Sequence, residues 1–400
     1  LHYPTIGNIV YHADMMQPLD TTNALEHLIG RIRAAAAHGT QLCIRGGGSK
    51  DFYGRRDLTA EVLDTRSLSG IVAYEPSELV ITAQAGTPLQ ELEALLAEKG
   101  QCLAFEPPHF GDGKSTVGGM VAAGLSGPAR ASAGAVREFV LGLHMVNGRG
   151  ESLQFGGQVM KNVAGYDVSR MMVGSMGTLG LITQVSLKVL PVAPAEATLI
   201  FALPQNEALE CLHHWGGKPL PLNASYWVDD TLYVRLRGAV AAVESACQRL
   251  LSEHTGLRME NSQAQPEWER CRHQKMAFFT QRPSPLSGNM ALWRVSVPQT
   301  APALSLPWPQ LVEWHGGLRW FWAPVQDAKM LQIMAHQLGG SATLFIAANA
   351  QPESDSGYFS MNDPALQALV KIQHNLKQSL DPQGIFGHNA PHAYANPTRP

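Results

Sequence analysis

Gly46-Gly47-Gly48 follows the apolar strand-like run "QLCIR" and leads into Ser49, Lys50 and Asp51. Bare backbone of this kind reaches positive φ and brings successive N–H groups against a ligand with no Cβ in the way. Such N–H groups form a nest suited to a pyrophosphate. Two more clusters lie in the same half of the chain: Gly118 and Gly119 with Gly124 and Gly127, and Gly174, Gly177 and Gly180. Any one of them alone reads as a tight turn; three, each at an element boundary, point to one shared ligand. Elsewhere, His109 in "EPPHFGD" carries a ring that titrates near neutrality. Arg294 in "LWRVSVP" and Arg319 in "GGLRWFW" are candidate clamps for a small carboxylate, which a guanidinium binds through two parallel hydrogen bonds. Their flanking aromatics and alternating strands suit ordinary ion pairs equally well. His213, His214 and His315 do not form a convincing ligand set, and no metal is expected.

Rival readings of the glycines fail on spacing. A nicotinamide-type fingerprint needs spaced glycines that open a helix after a strand, whereas Gly48 is followed by Ser49-Lys50-Asp51 and "GSMGTLG" precedes a strand. No lysine follows a long glycine loop in the manner of a nucleotide triphosphate site. The net charge of −3, a pI near 6.6 and the lack of a basic run argue against nucleic acid as a partner. No stretch is apolar for the roughly 18 residues that a membrane-spanning helix needs, and the start of the chain lacks the pattern of a signal peptide. Cys43, Cys102, Cys211, Cys247 and Cys271 are odd in number and widely spaced. They offer neither a disulfide framework nor a cradle for an iron–sulfur cluster, so the cytosol is the expected compartment.

The elements that would position these residues follow from periodicity. Leu25, Leu28, Ile29 and Ile32 mark a helix that Gly39 ends. "IVAYEP" and "LVITAQAG" read as strands about a turn at Pro76-Ser77. Thr87 as N-cap, Pro88 as first helical residue and Gly100 as stop bracket a helix with Leu89, Leu92, Leu95 and Leu96 on one face. "CLAFEPP" reads as a strand, and residues 136–157 as a hairpin turning at Asn147-Gly148. After Pro191 the texture becomes rich in tryptophan and proline. The expected division is a non-core extension over 1–15, a cofactor-binding domain over 16–195, an α+β cap over 196–345, and a C-terminal helix and tail over 346–400.

The stretches "IRGGGSKDFYG", "ELVITAQAGTPLQEL", "EPPHFGDGKSTVGGMVAAGLSGPAR", "VLGLHMVNGRGE" and "MKNVAGYDVSRMMVGSMGTLGLITQVSLKVLP" occur in this order. In that order they resemble the vanillyl-alcohol-oxidase (PCMH-type) FAD-binding family. Within it the chain looks most like the smaller FAD-binding subunit of bacterial glycolate oxidase, over about residues 17–387. "KNVAGYD" is the sharpest marker, and "LWRVSVP", "EWHGGLRWFWAP" and "GGSATLF" resemble that subunit's cap. The resemblance implies an α+β fold: an FAD-binding domain of two α/β subdomains plus an α+β cap.

It also implies roles. Arg45, Gly46, Gly47, Gly48, Ser49, Lys50 and Asp51 would wrap the FAD pyrophosphate, with Pro108 also at the cofactor. Ser115, Thr116, Gly118 and Gly119 would lie along the pyrophosphate and isoalloxazine. Gly177, Thr178, Gly180 and Ile182 would line the flavin. FAD is expected to be non-covalent, because the first loop carries Gly48 and Ser49 where some relatives carry a tethering histidine. Met176 stands where many relatives have Glu, and the tail after "DPQGIF" departs from the family's usual ending. His109 would fall near the isoalloxazine, as a base or as a packing residue. Lys161, Asn162, Tyr166 and Asp167 form a polar patch that serves either the flavin side or the capping of a helix. The implied activity is that of an FAD subunit in a multisubunit glycolate oxidase acting on a small 2-hydroxy acid. Its implied partners are a larger FAD-binding subunit and an iron–sulfur subunit, peripheral on the inner membrane. A stand-alone FAD-dependent D-lactate-type dehydrogenase and a non-catalytic FAD-containing electron-relay subunit stay open as alternatives. The chain alone is expected not to sustain glycolate oxidation, since its candidate base and clamps are isolated.

Overall fold

The computed structural model describes residues 18–53, 60–157, 168–283, 290–348 and 364–387. The expectations for residues 1–15, for Lys161, Asn162, Tyr166 and Asp167, and for the tail beyond 387 lie outside them.

The cofactor-binding half has two α/β layers. In the first, the helix Pro18–His38 buries Leu28, Ile29, Ile32 and Ala35. It packs on two short parallel strands, Leu42–Arg45 and Glu61–Asp64, with Cys43 opposite Val62. In the second, five antiparallel strands run in the order Ile71–Glu75, Val80–Gln84, Leu181–Lys188, Val140–Val146 and Ser152–Gly156. Leu89, Leu92 and Leu96 of the helix Leu89–Glu98 and Val117, Met120 and Val121 of the helix Val117–Ala123 cover this sheet in one apolar core. The hairpin turns at Asn147, whose Oδ1 accepts the N–H groups of Arg149 and Glu151.

Two local expectations are corrected. Thr87 does not cap its helix; Pro88 occupies the cap position without a side-chain bond. The fully buried Thr87 hydroxyl instead accepts from the N–H of Gly70 and donates to its carbonyl, which ties down the preceding loop. Of "CLAFEPP" only Cys102 is strand, in the pair Gln101–Cys102; the chain then turns at 104–105 and passes through φ 48° at Glu106.

The cap is one antiparallel sheet of eight strands. Their order is Leu257–Met259, Ala195–Ala202, Thr231–Gly238, Leu222–Val228, Gln310–Glu313, Leu318–Pro324, Met290–Ser296 and Ser341–Ile346. Helices Gln205–Gly216 and Val240–Glu253 bury Trp215 and Leu250 against it in one cluster, and Ala328–Gln337 buries Leu331 in another. The protein is thus α+β. The last described segment does not stand apart: it returns to the cofactor-binding half. Leu380 of the helix Pro364–Leu380 joins the five-stranded core, and Phe386 forms a parallel bridge with Leu42. Asp381, fully buried, accepts from Lys377 and from the N–H groups of Ile385 and Phe386.

A charged seam joins the two halves. The Glu106 carboxylate accepts two 2.7 Å bonds from Arg235 and one of 3.0 Å from Arg237, both on the cap. It also accepts the N–H of Ala129. Burial alone would raise the Glu106 carboxyl, but Arg235 and Arg237 hold it below the usual carboxylate range. Removing one member of a buried ion pair leaves uncompensated charge and costs about 3–5 kcal/mol. Glu106→Ala is therefore expected to lower the melting temperature and to separate cap from cofactor-binding half in the unfolding trace. Calorimetry showing one unchanged transition would count against this role.

Candidate functional site

The strand Leu42–Arg45 ends in the triple glycine, and the loop beyond it folds back over residues 114–119. This arrangement opens a cleft between the loop and the helix Val117–Ala123. Arg45, Gly46, Gly47, Gly48, Ser49, Lys50, Asp51, Thr116, Gly118, Gly119, Gly177, Gly180 and Ile182 line it together. Ser115, Thr178 and Pro108 do not. Ser115 stands one layer behind, its hydroxyl 3.0 Å from that of Ser49. The Thr178 hydroxyl donates to the carbonyl of Ser175. Pro108 lines a separate, smaller cavity at the seam with the cap. Sequence reasoning passed over Cys43, Ile44, Tyr53, Ala122 and Ala123, and noted Met176 only as a departure from relatives; together they supply the cleft's apolar wall. Small and aliphatic side chains carry no signal that separates such a wall from core.

The loop is built around its missing side chains. A Cβ on Gly47 would lie 1.6 Å from the carbonyl oxygen of Lys114. Gly48 sits at φ +70°, and a Cβ there would strike the Arg45 guanidinium at 2.1 Å. That guanidinium is itself locked to Asp51, with bonds of 3.0 and 2.7 Å to Oδ2. The Lys50 amine reaches the hydroxyls of Ser49 at 3.4 Å and Ser115 at 3.3 Å. It has no carboxylate partner among the described residues, and burial pushes it down to about 8. A desolvated cation beside bare glycine backbone is a complement for a diphosphate, while Ile44, Ala122, Ala123 and Met176 suit a flat apolar ring. The residues present therefore fit FAD. The described residues contain no group of three or more His, Cys, Asp or Glu placed to hold a metal ion.

The catalytic candidates are not brought together. His109 lines neither cavity; its Nε2 is 2.9 Å from Glu93 and its backbone N–H donates to His273 Nδ1 at 3.0 Å. Glu93 also pairs with Arg272, so His109 belongs to the seam rather than to the cleft. Arg319 is fully buried, with bonds to the carbonyl oxygens of Gly316 at 2.7 Å and Ala301 at 3.0 Å. Burial lowers it to about 10. Its donors are spent on backbone, and it has no free face for a carboxylate. Arg294 lines the smaller cavity.

Two measurements follow. Gly47→Ala is expected to purify folded but with most of its flavin lost, because the Lys114 carbonyl must move; full occupancy would overturn the cradle. An anionic ligand favours the charged form of Lys50, so above about pH 8 binding must take up a proton. FAD affinity is expected to fall by up to about tenfold per pH unit above that point, with a flatter profile in Lys50→Gln.

Comparison with known proteins agrees with this geometry. Residues 22–156 match a family described as "FAD binding domain". The glycolate oxidase subunit GlcE of Escherichia coli (strain K12) is 41% identical over 93% of this chain and 97% of its own length. The glycolate oxidase subunit GlcD of Bacillus subtilis (strain 168) is 33% identical over 42% of this chain and 33% of its own. A D-lactate dehydrogenase of Archaeoglobus fulgidus is 32% identical over 45% and 40%. Among solved structures, an alkyldihydroxyacetonephosphate synthase superposes with a TM-score of 0.61 over 90% of this chain and 75% of its own at 16% identity, a likeness of fold. The near full-length match to GlcE, together with the glycine-cradled cleft, makes this chain a member of the GlcE family of glycolate oxidase subunits.

Proposed function

We propose that the chain is the smaller FAD-binding subunit of a multisubunit oxidase that converts glycolate, or a close 2-hydroxy acid, to the 2-oxo acid. The observation that carries the reading is the cleft itself, where Gly47 packs against the Lys114 carbonyl beside the Lys50 amine, which has no carboxylate partner among the described residues. The backbone of Gly46–Gly48, with Ser49 and Lys50, would hold the diphosphate. Ile44, Ala122, Ala123, Met176 and Ile182 would exclude water from the ring. Bound FAD supplies the two-electron acceptor. No histidine occurs in the first loop among the cleft residues, which supports a non-covalent cofactor.

Onward transfer is assigned to other chains. The five cysteines are unbridged, with Cys43, Cys211, Cys247 and Cys271 buried, and no group of three or more His, Cys, Asp or Glu among the described residues is placed to hold a metal ion. The partners in this reading are a larger FAD-binding subunit and an iron–sulfur subunit. No helix among the described residues is long and apolar enough to cross a membrane, so membrane contact in this reading is peripheral and comes through the complex.

Acid precipitation of the purified chain should release FAD to the supernatant, with no stoichiometric iron or sulfide. Yellow colour in the pellet, or FMN in solution, would overturn the cofactor assignment. Glycolate should drive sustained quinone reduction only when the partner subunits are added. Sustained turnover by the isolated chain with a dye would establish the stand-alone dehydrogenase instead.

A further inference from the structure

The loop that carries the triple glycine leads into two aromatic residues, Phe52 and Tyr53. Tyr53 lines the cofactor cleft, whereas Phe52 does not. Both rings meet one side chain of the cap. Phe345, on the strand Ser341–Ile346, has its ring centroid 5.5 Å from that of Phe52, edge to face, and 5.1 Å from that of Tyr53. Phe345 is itself no part of the cleft wall.

The cap is shaped to make this contact. Regular alternation along a strand sends consecutive side chains to opposite faces of the sheet. Ala342 and Leu344 obey it and pack on the helix-covered face, in the cluster that holds Leu331. The register then slips: Leu344 stands opposite Trp293 and Ile346 opposite Leu292, which leaves Phe345 as the extra residue of a bulge. Bulges re-aim side chains. Here Phe345 and Ile346 both join the cluster on the other face, with Tyr53, Phe110 and Met176 of the cofactor-binding half. Phe345 is 1% exposed. Its ring is backed by Trp320 at 4.8 Å between centroids. Trp320 is in turn fixed by Phe279 at 5.4 Å and by the 2.6 Å bond from its Nε1 to Glu313. The seat on the cap is rigid.

The loop is less constrained from within. Its own ties include the Arg45–Asp51 pair and two backbone bonds, from the Asp51 N–H to the Gly48 carbonyl at 3.2 Å and from the Tyr53 N–H to the Lys50 carbonyl at 3.0 Å. Three consecutive glycines make ordering it costly in entropy. The rings anchor it from outside. Phe52 also meets Phe110 edge to face at 5.0 Å, and the Lys50 amine lies 5.8 Å from the centre of the Phe110 ring. A Phe52 that left Phe345 would therefore disturb both the amine and the Tyr53 wall. Phe52 remains 38% exposed, so burial of its own surface does not account for where it sits.

We propose that Phe345 is a positioning residue for the cofactor. Through Phe52 and Tyr53 it holds the diphosphate loop in the form that binds FAD, so that the cap governs how long FAD stays on the chain. The inference rests on the reading of the cleft as an FAD site. It makes cofactor residence a property of both halves, although the cleft walls come from one.

The test loads the full chain with FAD, dilutes it, and follows release by the fluorescence of the freed flavin. Phe345→Ala should speed release by about tenfold, the scale of two aromatic pairs lost. Phe52→Ala should speed it by a smaller factor. In the double variant the two factors should not multiply, because both substitutions remove the same contact. Leu331→Ala, a core truncation on the far face of the cap sheet, controls for a cap that is merely less stable; it should lower the melting temperature and leave release unchanged. Wild-type release in Phe345→Ala, equal acceleration in Leu331→Ala, or factors that simply multiply in the double variant each overturn the proposal. Should Phe345→Ala fail to fold, Phe52→Ala decides, since its ring is exposed and outside the cleft; wild-type release in that variant overturns the proposal equally. Failure of the wild-type chain to take up FAD sinks the proposed function, whereas FAD uptake with release indifferent to Phe345 sinks only this inference.

Discussion

One buried carboxylate fixes the architecture. Glu106 sits at a left-handed turn after the short strand Gln101–Cys102 and meets two arginines of the cap, Arg235 and Arg237. With the Arg272–Glu93 pair and the His109 N–H bond to His273, it sets the height of the cap above the cofactor-binding half. The walls of the cleft come from residues 43–65, 85, 116–123 and 176–182 of one half. Those of the smaller cavity come from both, since Leu125 and Gly127 face Arg294 and Glu313 across the seam. An ion pair of this kind gains little over apolar packing in stability. What it does here is define a register between the two halves of the chain.

The cleft follows a different logic. Its shape comes from removing atoms, as at Gly47 and Gly48, and its charge comes from one amine that meets no carboxylate among the described residues. The neighbouring acid, Asp51, is held by Arg45 and does not neutralise Lys50. A structural strut backs the other side. Lys377 donates to the carbonyl oxygens of Thr178 at 2.6 Å and Phe386 at 2.9 Å while paired with Asp381. The C-terminal helix thereby steadies the 176–180 turn from behind.

The sequence made the cofactor-binding half legible because its constraints are local. Glycine runs, the hairpin turn at Asn147 and the leucine face of Leu89–Glu98 are each set by residues a few positions apart. Thr87 misled because its hydroxyl is claimed by Gly70, a tertiary contact that overrides the cap preference. The cavity at the seam was mostly invisible. Arg294 was a candidate by type alone, on equal terms with Arg319, and only burial and the carbonyl partners of Arg319 separate them. Nothing in "VEWHGG" announces two non-glycine residues, Trp314 and His315, in the left-handed region, or a glutamate buried among tryptophans. Those properties belong to the meeting of two halves more than a hundred residues apart.

The parallel bridge between Leu42 and Phe386 has a consequence in time. Ile385 and Phe386 complete the apolar core under the strand that carries the triple glycine. On the ribosome, that strand is made before the cap and its neighbour after it. The cap, whose eight strands pair only with one another, can therefore finish folding while the cofactor-binding half still lacks its closing segment. The core behind the triple glycine is closed by a segment that follows the whole cap in the chain.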